Sequence, residues 1–296
     1  MVLAGRAEAA RATAGPAPPG RLLAVRPPPG RLLASRAQAG AAAAVMAVIP
    51  GAEPFRHSGG PVGVLLCHGF TGSPQSLRPW AEFLAAAGLS VSLPRLPGHG
   101  TTWQEMNRTR WGDWYAEVDR AFHELQAGYD RVFVMGLSMG GTLTLRLAER
   151  HGAEVAGIVL VNASVKPDKT VIRLVPVLKH LVPSVAGIGN AINKQGVSEL
   201  AYDRVPLKAL DSFAKGWRTV QADLPKVTQP TLLFRSVSDP VVHPSNSAVI
   251  LSRISSTDVA EQVLEKSSHV ATLDHDAEQI YAGSVEFVRR VAGLGH

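Results

Sequence analysis

The stretch Arg131-Val-Phe-Val-Met-Gly-Leu-Ser-Met-Gly-Gly-Thr-Leu-Thr-Leu-Arg146 constrains this chain more than any other. An apolar run of strand character passes through Gly136-Leu137-Ser138-Met139-Gly140 into a pattern with helical spacing. Glycines two before and two after Ser138 permit a sharp strand-to-helix turn, which lifts the serine hydroxyl clear of a sheet and turns the N–H of Met139 outward. The same short pattern also occurs in ordinary glycine-rich turns, so its weight has to come from the rest of the chain.

That rest alternates. Val62 to Cys67, Leu89 to Leu93, Val132 to Met135, Val155 to Val161, Thr231 to Phe234 and Gln262 to Leu264 read as strands. Between them, helical spacing recurs from Ser73-Pro74 to Gly88, from Trp111 to Leu125, and from Ser138 to about Arg150. Strands alternating with helices imply right-handed crossovers and a mostly parallel sheet covered on both faces, an α/β fold. Residues 164–225 interrupt the alternation with helical apolar spacing (Val171, Leu174, Val175, Val177, Leu178, Leu181), several prolines and no strand. They are expected to form an inserted helical cap over the carboxyl edge of the sheet.

A serine hydroxyl is a weak nucleophile near neutral pH, so Ser138 needs a base and the base needs an acid to fix its tautomer. Asp239 lies beyond the Thr231 strand and His269 beyond the last strand, in the loops where active-site groups of open parallel sheets gather. The expected catalytic set is Ser138, Asp239 and His269. His243 and His275 sit at helix starts, and Asp274 and Asp276 read as helix caps. Negative charge developing on a substrate carbonyl needs donors held in advance, and the N–H groups of Met139 and Phe70 are the candidates. Phe70 belongs to His68-Gly-Phe-Thr-Gly72, just after the Val62 strand. The Pro97-Gly-His-Gly100 loop reads as a tight turn whose His99 supports the His68 loop by hydrogen bonding. His68 and His99 have no acidic or cysteine companions at ligand spacing and no dinucleotide fingerprint is present, so no metal and no cofactor are expected.

Composition closes off other classes. The formal charge is +6, but residues 1–45 hold six arginines and one acid, Glu8, so +5 of it lies there and the remainder is nearly neutral. No nucleic-acid partner is expected. The same 45 residues are rich in Ala, Arg, Pro and Gly and repeat Pro-Pro-Gly-Arg-Leu-Leu-Ala, which predicts a disordered extension. An arginine-rich start also suits a targeting segment, and Met46 as the natural start is the simplest reading, giving 46–296 as the folded domain. A single cysteine, Cys67, permits a reducing compartment, with cytoplasm as the expectation. No run reaches the roughly 18 apolar residues that cross a bilayer.

His68-Gly-Phe-Thr-Gly72, Leu96-Pro-Gly-His-Gly100, Gly136-Leu-Ser-Met-Gly-Gly141, Ser238-Asp-Pro-Val-Val242 and Ser268-His-Val-Ala-Thr272, in that order, resemble the α/β-hydrolase family, and within it the bacterial monoacylglycerol lipases and carboxylesterases. The resemblance covers roughly residues 50–293. It implies hydrolysis of monoacylglycerols or short to medium acyl esters through an acyl-enzyme, with Ser138, Asp239 and His269 in the triad positions. Ser198-Glu-Leu-Ala-Tyr-Asp203 is similar to a segment in which an acidic residue meets the alcohol part of the substrate, which makes Glu199 a substrate-binding candidate beside the plainer reading of a solvated charge. The expected partner is a small ester or lipid, with transient membrane-surface contact through the cap. A thioesterase or other acyl transferase on the same scaffold, and a small-molecule receptor with vestigial turnover, are the alternatives.

Overall fold

Successive side chains of an extended chain alternate between opposite faces of a sheet, and along the central strands here both faces are buried. In the computed structural model, which describes residues 47–167, 170–187 and 190–294, this alternation builds a sheet covered on both sides. The expected disordered extension, the targeting reading and the Met46 start fall on residues outside the described ones.

In chain order the elements are β1 (Phe55–His57), β2 (Val62–Cys67), α1 (Arg78–Ala86), β3 (Ser90–Leu93), α2 (Trp103–Met106), α3 (Trp111–Gln126), β4 (Arg131–Leu137), α4 (Met139–His151) and β5 (Val155–Val161). An inserted segment follows, with α5 (Val175–Leu178), β6 (Ser184–Ala186), β7 (Arg204–Pro206) and α6 (Leu207–Asp223). The chain then returns through β8 (Thr231–Ser236), α7 (Ser245–Arg253), β9 (Val259–Leu264) and α8 (Ala277–Ala292).

Seven strands pair in the order β1-β3-β2-β4-β5-β8-β9, all parallel except the antiparallel edge strand β1. Val132 and Val134 of β4 face a core shared with Trp114, Phe122 and Leu143, while Phe133 and Met135 face the other, with Trp80, Leu84 and Ile280. Each such large side chain contributes roughly 1.5–3 kcal/mol by leaving water. Edge strand β1 is missed by pattern reading because Phe-Arg-His offers one apolar residue and is largely exposed.

The inserted segment departs from its expectation in two ways. It is not wholly helical: β6 and β7 form a short antiparallel pair. The helix suggested by residues 171–181 is reduced to a 3-10 turn, Thr170–Leu174, and the single turn of α5, with Pro176 at its start. Leu174, Val177 and Leu181 are 57%, 65% and 74% exposed, so their helical spacing does not record burial. The segment is tied to the carboxyl end of the sheet. Tyr202 donates its N–H to Thr71 O and its hydroxyl to Gly98 O, Gln75 bonds Ser198 and Leu200, and Val270 N–H reaches Ala191 O.

The strand-to-helix turn at Ser138 depends on space. A Cβ on Gly140 would lie 1.8 Å from the carbonyl oxygen of Cys67 in central strand β2, and one on Gly136 would lie 2.2 Å from Gly140 O. Both obstacles are backbone and neither can swing aside. Gly140→Ala is therefore expected to lift α4 off the sheet, costing at least about 3 kcal/mol; a urea midpoint close to the parental one would contradict this packing.

Candidate active site

Ser138 caps the N-terminus of α4 with φ 56° and ψ −117°, a left-handed conformation that a non-glycine residue holds only when its surroundings enforce it. The enforcement is visible. Ser138 N–H donates to Val161 O at 2.9 Å, and Ser138 O accepts from Thr142 and Ser164 N–H, which pins the turn between β5 and the first turn of α4. Ser138 is 8% exposed. Met139 opens α4, so its N–H is among the helix-initial donors that lack an intrahelical acceptor.

The loop from His68 to Gly72 runs alongside. A Cβ on Gly69 would sit 3.5 Å from Ser138 Cβ and 4.0 Å from its Oγ, so this loop passes close to the Ser138 side chain, with Phe70 its next residue. The Phe70 ring is stacked on Phe213 of α6 and meets the edge of Trp114. Thr71, at φ 63°, turns the loop back. His68 is fully buried: its Nδ1–H donates to Gly69 O and its Nε2 accepts from Leu96 N–H, both at 3.1 Å. Burial pushes its pKa down to about 4 and that of His99 well below the ordinary value, so both rings are neutral braces. The expected hydrogen bond from His99 to the His68 loop is not formed. His99 Nδ1 meets Pro97 O and its ring touches His68 edge-on, because His68 itself makes the bond between the two loops.

Asp239 and His269 come together from the loops after β8 and β9. His269 Nδ1 lies 2.7 Å from Asp239 Oδ2, and the side chains are only 9% and 2% exposed. Asp239 Oδ1 accepts the N–H groups of Val241 and Val242, each at 2.8 Å, which orients the carboxylate. Val237 and Ser238 precede it, so no second acid competes in that turn.

The His269 loop is fixed by residues that pattern reading assigns otherwise or passes over. Asp274 and Asp276 do not cap α8 with their side chains. Asp276 accepts from Lys266 and Ser267 N–H, and Asp274 accepts from Ser268, Asn193 and Lys194 N–H, tying the loop to the inserted segment. The reason is geometric: the chain turns twice between 264 and 277, and these turns offer more free N–H groups than the helix end does. Asn162, at φ 45° just past β5, is the residue missed. Its side chain donates to His269 O at 2.8 Å and to Ser236 Oγ and accepts Ser236 N–H, locking the ends of β5 and β8 to the histidine loop. The only available sequence signal was an asparagine at a strand's carboxyl end.

Glu199 arrives from the inserted segment. Its Oε1 lies 2.5 Å from where a Cβ would stand on Gly72, so a side chain there would push the carboxyl from its present position. Loss of hydration pushes its pKa up to about 7, against a smaller downward pull from nearby His269. It is a partly buried carboxyl near His269. Ser73 makes no side-chain cap bond, and the helical pattern that begins at Ser73-Pro74 opens as a 3-10 turn, Pro74–Leu77, before α1. Together these residues form an enclosed hydroxyl on a strained turn, an oriented acid–imidazole pair, helix-initial N–H donors and a desolvated carboxyl, a set suited to acyl transfer.

A family model described as serine aminopeptidase, S33 matches residues 62–276. The thermostable monoacylglycerol lipase of Bacillus sp. (strain H-257) is 43% identical over 253 residues, covering 83% of this chain and 98% of the lipase. The carboxylesterase of Bacillus subtilis (strain 168) is 24% identical over 240 residues, covering 81% and 97%. Among solved structures, one from work on the metagenome-derived lipolytic enzymes LipS and LipT is 40% identical with a TM-score of 0.81, covering 82% of this chain and all of that one.

Proposed function

This chain belongs to the α/β-hydrolase family of the serine aminopeptidase S33 group and is an ester hydrolase, and on that footing we propose that Ser138, His269 and Asp239 are its catalytic triad and monoacylglycerols its preferred substrates. The observation that carries the triad is the enclosed 2.7 Å bond between His269 Nδ1 and Asp239 Oδ2, made across two separate loops. A carboxylate on Nδ1 holds the proton there and leaves Nε2 as the basic nitrogen.

In the proposed reaction the Ser138 oxygen attacks the ester carbonyl carbon while its proton passes to His269 Nε2. The carbonyl π pair moves onto oxygen, where the N–H groups of Phe70 and Met139 receive the charge; losing one such donor costs about 10²- to 10³-fold in rate. Collapse breaks the bond to the alcohol, which leaves with the proton from His269, and the acyl group stays on Ser138. Water then gives a proton to His269 and its oxygen to the acyl carbon. The carboxylic acid departs and the proton returns to Ser138.

Glu199 is proposed to accept hydrogen bonds from the glycerol hydroxyls. A single partly buried carboxyl near the base distinguishes a polyol leaving group from a simple alcohol. Glu199→Gln is expected to lower kcat/KM for monoacylglycerols by about tenfold or more and to leave ethyl esters of the same chain length nearly unchanged. A panel of monoacylglycerols, ethyl esters and acyl-CoA thioesters reads this out. Equal losses on glyceryl and ethyl esters would remove the role, and preferred turnover of the thioesters would favour the thioesterase reading.

The inserted segment is proposed as the cap, at about residues 164–225, and as the face that meets lipid. The described helices include none long and apolar enough to cross a membrane, but Leu174, Val177 and Leu181 are exposed, with the exposed Arg173 next to Leu174 in the chain. Val177→Ser with Leu181→Ser should reduce turnover of monoacylglycerol in anionic vesicles several-fold while sparing a dissolved ester. Equal effects on both would assign these residues to the site instead. Cytoplasmic residence is proposed on Cys67, which is buried and unpaired.

A further inference from the structure

Away from Ser138, the second half of α3 and the end of α4 bring together three side chains that the proposed reaction does not use. Asp119 and His123 are four residues apart on α3 and so share a face, and His151 ends α4. His151 Nε2 lies 2.7 Å from Asp119 Oδ1, His123 Nε2 lies 3.8 Å from Asp119 Oδ2, and one ligand atom from each residue falls within 4.8 Å of the others. Ligand atoms around a tetrahedral zinc stand about 3.4 Å apart, so small side-chain adjustments would seat the ion.

The surroundings of both rings support more than an ion pair. His123 Nδ1 meets Gln126 Oε1 at 3.1 Å, Gln126 Nε2 donates to Glu154 Oε2 at 3.2 Å, and Glu154 Oε2 is 3.4 Å from His151 Nδ1. Each imidazole thus has an oxygen acceptor at Nδ1 and its Nε2 toward Asp119, the arrangement in which outer acceptors fix the tautomer of metal-binding histidines. Tyr115 donates to Asp119 Oδ1 at 3.0 Å, and the His151 ring rests on Phe122. His123 and His151 lie in the last turns of α3 and α4, the ends of helices that favour a cation.

We propose that Asp119, His123 and His151 bind a divalent transition-metal ion, zinc first, with water completing the coordination. Two imidazoles and one carboxylate suit zinc and, in order of intrinsic affinity, copper, nickel and cobalt better than magnesium or calcium. His123 is 58% exposed and gives the ion entry. The ion would clip α3 to the far end of the helix whose other end presents Ser138, about 20 Å away.

The test uses metal-free full-length protein titrated with zinc chloride by calorimetry, with thermal unfolding and the visible spectrum of the cobalt(II) complex as further readouts. The expected result is one zinc per chain, an unfolding temperature raised by about 5 °C at a hundredfold excess over the dissociation constant, and an intense tetrahedral cobalt spectrum. His123→Gln, at an exposed position, is expected to fold normally, keep its basal esterase rate and bind zinc roughly 100-fold more weakly. Glu154→Gln should weaken binding about tenfold. No saturable binding, or identical isotherms for the parent and His123→Gln, would overturn the site and leave Asp119 and His151 as an ion pair.

Discussion

Ser138→Ala should lower kcat for a monoacylglycerol or a p-nitrophenyl ester by about 10⁵- to 10⁶-fold, with an unchanged unfolding midpoint. The size follows from the role proposed for the residue, because without the oxygen no acyl-enzyme forms and only the Phe70 and Met139 donors and the binding site continue to help water. The midpoint should hold because alanine removes one oxygen from a side chain whose backbone is fixed by Val161, Thr142 and Ser164. Relief of the left-handed conformation is not expected, since alanine meets the same steric limits as serine at φ 56°. Steady-state assays at high enzyme concentration, with residual activity traced for contamination, check the rate.

The second large effect is at Asp239. Asp239→Asn keeps the shape but offers Nδ1 of His269 an amide, which can stabilise the tautomer with its proton on the wrong nitrogen, and the corresponding change in other triads costs about 10⁴-fold in kcat. The two N–H donors from Val241 and Val242 are expected to hold the asparagine oxygen and thereby turn its NH₂ toward His269. A loss of less than about tenfold would mean that His269 does not need this partner. The variant's binding of a non-hydrolysable ester analogue should remain close to parental, which separates loss of chemistry from loss of the pocket.

Much of the sheet was legible because its strands are buried on both faces and therefore appear as short apolar runs, β4 with Val132 to Met135 being an example. The order Ser138, Asp239, His269 was legible for a related reason: each follows a strand whose end is marked by a change from apolar to polar residues. What depends on three-dimensional closure was not. β6 and β7 are three residues each and gain their stability from pairing across the seventeen positions between them, which no local pattern records. Asn162 looks like any polar residue after a strand until Ser236 and the His269 carbonyl are brought beside it. Asp274 and Asp276 had the composition of helix caps, but the competing N–H groups of residues 193, 194 and 266–268 claim their oxygens. Asp119, His123 and His151 acquire a common centre only when α3 and α4 pack against the same face of the sheet.

The most direct test of the account is the identity of the residue that carries the acyl group. The full-length protein is mixed with a fluorophosphonate probe, and in parallel with a slowly hydrolysed p-nitrophenyl ester quenched in acid, and both samples are digested and sequenced by mass spectrometry. A single modification per chain at Ser138 is expected in each case, abolished in Ser138→Ala and strongly slowed in Asp239→Asn. Modification at another residue, or full turnover of the ester by a protein that the probe leaves unlabelled, would contradict it.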